Sequence, residues 1–223
     1  MLRISFLMIA ILAASLLGAE RPIDPKNYDH PVRVACVGDS ITAGVGTADP
    51  AKESYPAQLQ LILGQGWEIQ NFGVGGRTLL RKQDPLDIRP ALDSRPDVVV
   101  IMLGTNDSRQ QTWDKHGAEF VSDYAGIIDA VRNLNSHPRI WICAPVPMFP
   151  GQWGLSEEIL TGKTIPAINE VARTKDVPLI DLHTALNDRK ADFPDFVHPN
   201  TKGYRTIAEA VAAALTGKKS DAP

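Results

Sequence analysis

The chain has 223 residues, 43% of them hydrophobic and 22% charged, with a formal net charge of −3. That balance suits one globular domain with a substantial core and excludes a collagen-like or disordered chain. A pI near 5.9, with no basic stripe, argues against a nucleic-acid partner.

In chain order, residues 1–19 come first, reading MLRISFLMIAILAASLLGA. Arg3 supplies a positive start, residues 4–17 an apolar stretch and residues 13–19 small side chains for cleavage. This predicts a signal peptide and export to the periplasm or medium, with a retained N-terminal membrane anchor as the alternative. The apolar stretch falls short of the roughly 20 residues of a spanning helix. No second stretch approaches that length, so no integral membrane partner is expected. Residues 20–31 are proline-rich and polar and read as a linker, 32–216 as the folded domain, and 217–223 as a flexible tail.

Strand-like, β-branched runs follow at 32–37, 67–72, 97–103, 139–144 and 178–181. Helical periodicity fills the intervals. Phe120, Tyr124, Ile127, Val131 and Leu134 recur at helical spacing, as do Ile207, Val211 and Leu215. Ser54 with Pro56 marks a helix start, since proline is tolerated in a first turn. Continuous apolar strands such as VVVIML, alternating with helices, imply a parallel sheet buried on both faces. One doubly wound α/β domain is the reading. Cys36 and Cys143 fall in such strands and are expected as two buried thiols, since free cysteine behaves as a small buried hydrophobe. A disulfide, common in exported proteins, is the alternative. No CxxC pair or zinc spacing is present.

Ligands of open α/β sheets bind beyond the C-terminal ends of the strands. Gly38-Asp39-Ser40 follows the first strand, Gly73-Val74-Gly75-Gly76-Arg77-Thr78 the second and Gly104-Thr105-Asn106-Asp107 the third. Asp195-Phe196-Val197-His198-Pro199 comes after the fifth. Taken singly, each is ordinary turn chemistry. Ser40 suits a cap, Gly76 a left-handed turn, Asn106 an Asx-turn, and Asp195 with His198 the start of the last helix.

On one rim, however, these residues supply the parts of acyl transfer. Ser40 is the candidate nucleophile, His198 its base and Asp195 the group that orients the base. Ser40 N–H, Gly76 N–H and the Asn106 amide are candidate oxyanion donors, Gly76 because a missing Cβ admits a substrate. Asp39 is expected to shape the serine turn. His183 is a rival base; His30, His116 and His137 lack a comparable carboxylate and turn. Trp113, Phe149 and Trp153, on loops beyond strands three and four, are candidate substrate contacts, with loop packing as the alternative.

The blocks GDSIT, NFGVGGRT, GTNDS and DFVHP, in this order, resemble those of the SGNH hydrolases, also called the GDSL esterase/lipase family. The resemblance runs from residue 34 to about residue 215. The first block reads GDSI where the family name has GDSL, an aliphatic exchange that leaves the chemistry untouched. The resemblance implies a flavodoxin-like three-layer sandwich with a five-stranded parallel sheet between helices. It also implies a Ser40–His198–Asp195 triad, the same three oxyanion donors, and no metal or organic cofactor.

The implied substrate is a small-molecule or polysaccharide acyl ester. Block spacing is similar to that of short secreted carbohydrate acetylesterases of the sialate O-acetylesterase-like type, which favours O-acetyl groups on carbohydrates. Lysophospholipase, thioesterase and arylesterase activities are the alternatives within the family. An α/β-hydrolase elbow, G-x-S-x-G, fits worse, since Thr42 stands where the second glycine belongs. A metal-dependent phosphoesterase would draw on Asp39, Asn106, Asp107 and His198, but a D-x-H near the first strand is missing. A nucleotide-binding module would use the GVGG turn, which lacks a third glycine. A non-catalytic carbohydrate-binding relative is opposed by retention of every nominal catalytic residue.

Overall fold

Five runs rich in valine and isoleucine form β1 (Val32–Gly38), β2 (Trp67–Gly73), β3 (Val98–Met102), β4 (Arg139–Ala144) and β5 (Leu179–Asp181). The computed structural model describes residues 21–80, 88–149 and 153–218. The expected export segment 1–19, and residues 219–223 of the expected tail, lie outside them. All four strand pairings are parallel, in the order β2-β1-β3-β4-β5. With helices on both faces, this is the three-layer α/β sandwich that the sequence predicts.

The central strand shows why the chain adopts this architecture. Every residue of β3 is buried, and successive side chains of a strand point to opposite faces. Val98, Val100 and Met102 join the core beneath the helices Tyr55–Leu63 and Thr201–Thr216. Val99 and Ile101 join the core beneath Phe120–Arg132 and Ile165–Lys175. A strand with helices on both sides needs no polar face, hence the unbroken run of apolar residues.

Each helix buries one stripe. In Thr201–Thr216, Tyr204, Ile207, Ala208, Val211 and Leu215 are fully buried at three- and four-residue spacing. The Asn200 side chain caps that helix by accepting from Gly203 N–H at 3.0 Å, and Gly217 ends it in a left-handed conformation. Truncating Ile207 to alanine would cost about 2–5 kcal/mol, from lost transfer energy and the cavity left behind. In Phe120–Arg132 the expected stripe is present as far as Val131; Leu134 falls just past the end. Ser54 precedes Tyr55–Leu63 as expected, with Pro56 in the first turn, but its side chain makes no capping hydrogen bond.

Cys36 and Cys143 are free, fully buried and part of one core cluster. Burial pushes the Cys36 thiol up to about 12, so it stays protonated and inert.

Strand order positions the site. Because β1 sits between β2 and β3, the turns that follow these three strands are neighbours on one rim. The final helix packs against Tyr55–Leu63, which returns the segment preceding it to the end of β1.

Candidate active site

At the end of β1 the backbone has room only for glycine. A Cβ on Gly38 would stand 1.9 Å from Thr42 Oγ1 and 2.8 Å from the Met102 carbonyl. The chain then turns into a short helix, Ser40–Ala43, capped by the buried Asp39 carboxylate, which accepts from Ile41 N–H at 2.9 Å. Asp39 thus shapes the turn, as the sequence suggests. Ser40 takes the first helical position, where a backbone N–H has no partner within its own helix.

The turn before the final helix supplies the partner of Ser40. Asp195 accepts from Val197 N–H at 3.0 Å and His198 N–H at 2.7 Å, which folds three residues back on one carboxylate. Its other oxygen lies 2.7 Å from His198 Nδ1, and His198 Nε2 lies 2.9 Å from Ser40 Oγ. An ionised carboxylate only accepts, so Nδ1 carries the proton and Nε2 accepts from the serine hydroxyl. Burial works to raise the Asp195 carboxyl. The hydrogen bonds from His198 N–H, the imidazole and Val197 N–H outweigh it and hold that carboxyl below its usual range. Asp195 therefore keeps the charge that an imidazolium at His198 would need.

The turns after β2 and β3 are tied to this one by hydrogen bonds. Val74 N–H donates to the Gly38 carbonyl at 3.1 Å. The buried Arg77 guanidinium donates to the carbonyls of Phe72 at 2.8 Å and Gly38 at 3.3 Å. Asn106 Nδ2 donates to the Arg77 carbonyl at 3.1 Å and has a long 3.5 Å contact with Asp39. Its amide oxygen accepts from Arg109 at 3.0 Å, which sets the amide's orientation. Gly76 adopts φ +77, yet a Cβ there would meet nothing within 4 Å. The left-handed backbone is one reason for glycine at this position, and the space beside it is open.

Two buried carboxylates lie beneath the turns. Burial raises the Asp39 carboxyl to about 6, against opposing contributions from Ile41 N–H and the nearby His198. Burial raises Asp107 to about 7; Leu79 N–H, at 3.0 and 3.2 Å, opposes this, and the neighbouring Asp39 adds to it. Both point at backbone donors, an arrangement suited to holding turns and not to metal ligation. Among the described residues no three His, Cys, Asp or Glu side chains gather where a metal ion could sit.

The three candidate aromatic contacts separate. Trp113 packs on Phe120, with ring centroids 5.4 Å apart, and borders the core. Phe149 packs on Phe193 at 5.2 Å. Only Trp153 reaches the site: it is 53% exposed and its ring centroid is 5.0 Å from that of His198. Its φ is +55, a backbone region that costs a bulky residue on the order of 1–3 kcal/mol.

The remaining histidines point elsewhere. His183, the rival base, donates to Glu157 Oε1 at 2.7 Å. His30 lies between Asp29 and Asp97, beside the start of β1. His116 approaches Glu119 at 4.0 Å, and His137 occupies a left-handed turn.

Sequence reasoning missed three supports of the site. Arg109 holds Asn106, and its place three residues later, one helical turn away, was the available signal. Tyr204 donates to the Val45 carbonyl at 2.6 Å and so fastens the loop after Ser40 to the final helix. Phe196, inside the aspartate–histidine turn, is partly exposed with φ +68. Nothing in the sequence announces the last two.

With that geometry established, the comparisons with known proteins are specific. Residues 36–206 match the model of the GDSL-like Lipase/Acylhydrolase family. An acetylxylan esterase of Xylanibacter ruminicola is 40% identical over 214 residues, which are 86% of this chain and 44% of that protein. Cellulase/esterase CelE of Acetivibrio thermocellus is 24% identical across 96% of this chain and 28% of its own length. The chain thus spans less than half of either relative. A lipase/acylhydrolase from Enterococcus faecalis shares the fold, with a TM-score of 0.68 at 22% identity, over 86% of this chain and 100% of that one.

Proposed function

The chain belongs to the GDSL-like lipase/acylhydrolase family, and from that premise we propose that it is a serine esterase removing short acyl groups, O-acetyl groups above all, from carbohydrates. The observation that carries the reading is the unbroken line of hydrogen bonds from Asp195 through His198 to Ser40, at 2.7 and 2.9 Å. The similarity to an enzyme named for acetylxylan supports the acetyl and carbohydrate parts of the proposal.

In the first step His198 Nε2 takes the Ser40 proton while Oγ attacks the acyl carbonyl. Asp195 stabilises the resulting imidazolium. The carbonyl oxygen, now negative, is met by Ser40 N–H, Gly76 N–H and Asn106 Nδ2, whose long contact with Asp39 leaves bonding capacity on that side. His198 then hands its proton to the departing alcohol, leaving an acyl group on Ser40. Water enters, His198 takes a proton from it, and the acid leaves as Ser40 regains its hydrogen.

The proposal includes export by residues 1–19, checked by N-terminal sequencing of the mature protein. The chemistry is checked by fluorophosphonate labelling and p-nitrophenyl acetate hydrolysis, with and without a chelator. Labelling at Ser40 and chelator-insensitive turnover are expected. No label at Ser40, or loss of turnover on chelation, would exclude the serine mechanism. Acetylated xylan, acetylated sialic acid and a lysophospholipid are then compared; turnover of the lipid alone would exclude a carbohydrate ester.

A further inference from the structure

Among the described residues, Trp153 and Phe196 are the only aromatics that count as exposed, at 53% and 36%. Both also have left-handed backbone, φ +55 and +68. Residues other than glycine rarely adopt that region, and bulky ones least of all. Strain of this kind persists where surrounding structure enforces it, and it collects at functional sites. Neither ring is compensated by core burial, unlike Trp113 and Phe149. Both flank one residue: Trp153 stands 5.0 Å from the His198 ring, and Phe196 lies in the short turn that presents that ring. The exposed Lys190 reaches to 5.8 Å from the centroid of Phe196.

Position beside His198 decides what such rings would meet. Hydrolysis splits the ester into two parts on different sides of Ser40. The acyl part stays on Oγ, with its oxygen toward Gly76 and Asn106. The alcohol part leaves with the proton that His198 delivers, so its oxygen must come up to Nε2. Whatever carries that oxygen lies against the groups around the imidazole.

We propose that Trp153 and Phe196 form a leaving-group wall that stacks on the sugar ring bearing the ester. The face of a pyranose that carries C–H groups is apolar and flat enough to lie on an aromatic ring, while its hydroxyls need polar partners. Lys190, whose ammonium lies over the Phe196 ring on one side, is one such partner. The inference rests on the serine-esterase reading and deepens it: this wall reads the alcohol, and the preference for a short acyl group is set on the other side of Ser40.

The test compares kcat/KM for monoacetylated xylobiose, ethyl acetate and ethyl butyrate. Trp153→Gly and Phe196→Asn remove the rings with residues that accept the left-handed backbone, and circular dichroism checks that each variant is folded. Trp153→Gly is expected to lower the xylobiose-to-ethyl-acetate ratio about 10-fold, mainly through KM, and Phe196→Asn about 3-fold, the scale of one aromatic contact. An unchanged ratio in both folded variants would overturn the proposal. So would a loss that follows acyl length, acetate against butyrate, since the wall would then serve the acyl group. If wild type labels with fluorophosphonate but hydrolyses only the ethyl esters, the wall is wrong and the serine chemistry stands. If it neither labels nor hydrolyses any of the three, both readings fall together.

Discussion

Two histidine–carboxylate pairs stand near the same end of the sheet and have the same contact distance. His198 lies 2.7 Å from Asp195 and His183 lies 2.7 Å from Glu157. What separates them is the third group. The second nitrogen of His198 faces a serine hydroxyl at 2.9 Å. In the other pair it is the carboxylate that extends the chain: Glu157 Oε2 accepts from Met148 N–H at 2.8 Å and so anchors the loop after β4. A histidine beside an acid is thus a generic device. Whether it moves protons or fastens a loop depends on what lies beyond it.

The largest effect should come from removing that third group. Ser40→Ala is expected to lower kcat for p-nitrophenyl acetate by about 10⁴-fold or more, with no fluorophosphonate label; substantial residual turnover would erase the distinction between the pairs. Asp195→Asn, which keeps the shape but reverses the preferred tautomer, should cost about 10²–10⁴-fold in kcat. Arg109→Ala lets the Asn106 amide turn and should lower kcat about 10-fold, with KM little changed. Measured on an Asn106→Ala background, the same substitution should add almost nothing, because its effect passes through that amide.

A pH effect separates carboxylates that carry charge from those that do not. Burial first, and Asp39 beside it, raise Asp107 to about 7, above an unfolded value near 4. Between these values the folded chain holds a proton that the unfolded chain has released. The stabilisation is therefore fully present below about pH 4, declines as pH rises toward about 7, and is absent above. Urea unfolding at pH 5 and pH 8 should show that decline, and Asp107→Asn should flatten it. Asp195 has the opposite sign: its depressed carboxyl contributes stability above an unfolded value near 4, lost as pH falls through the folded value. The smallest effect belongs to the other histidine. His183→Ala should leave kcat within about 2-fold and cost about 1 kcal/mol of stability by calorimetry, the worth of one hydrogen bond.

What the sequence made legible follows the range of the interactions involved. The strands were readable because β3 is apolar at every position and helices alternate with it. The Asp39 cap and the Asp195–His198 turn were readable because their partners lie within three residues. Glu157 was not, because His183 is 26 residues away and nothing local marks the pair. The aromatics show the same limit. Trp113, Phe149 and Trp153 look alike in the chain, and only the presence of Phe120, Phe193 or His198 as neighbour tells them apart. The left-handed turn at Gly76 was readable because glycine is the residue that takes such a backbone without cost.

Ser40 and His198 are 158 positions apart along the chain, and the turn carrying His198 comes just ahead of the last helix. A ribosome making this chain completes the serine turn well before the proton acceptor, 158 residues further on. A chain interrupted anywhere before residue 198 would hold the proposed nucleophile with nothing to activate it. Tyr204 extends the requirement, since the loop after Ser40 is fastened by a helix not yet made. The proposed reactivity toward esters is thus withheld until the turn that carries His198 and the helix that fastens the serine loop have both been made and folded.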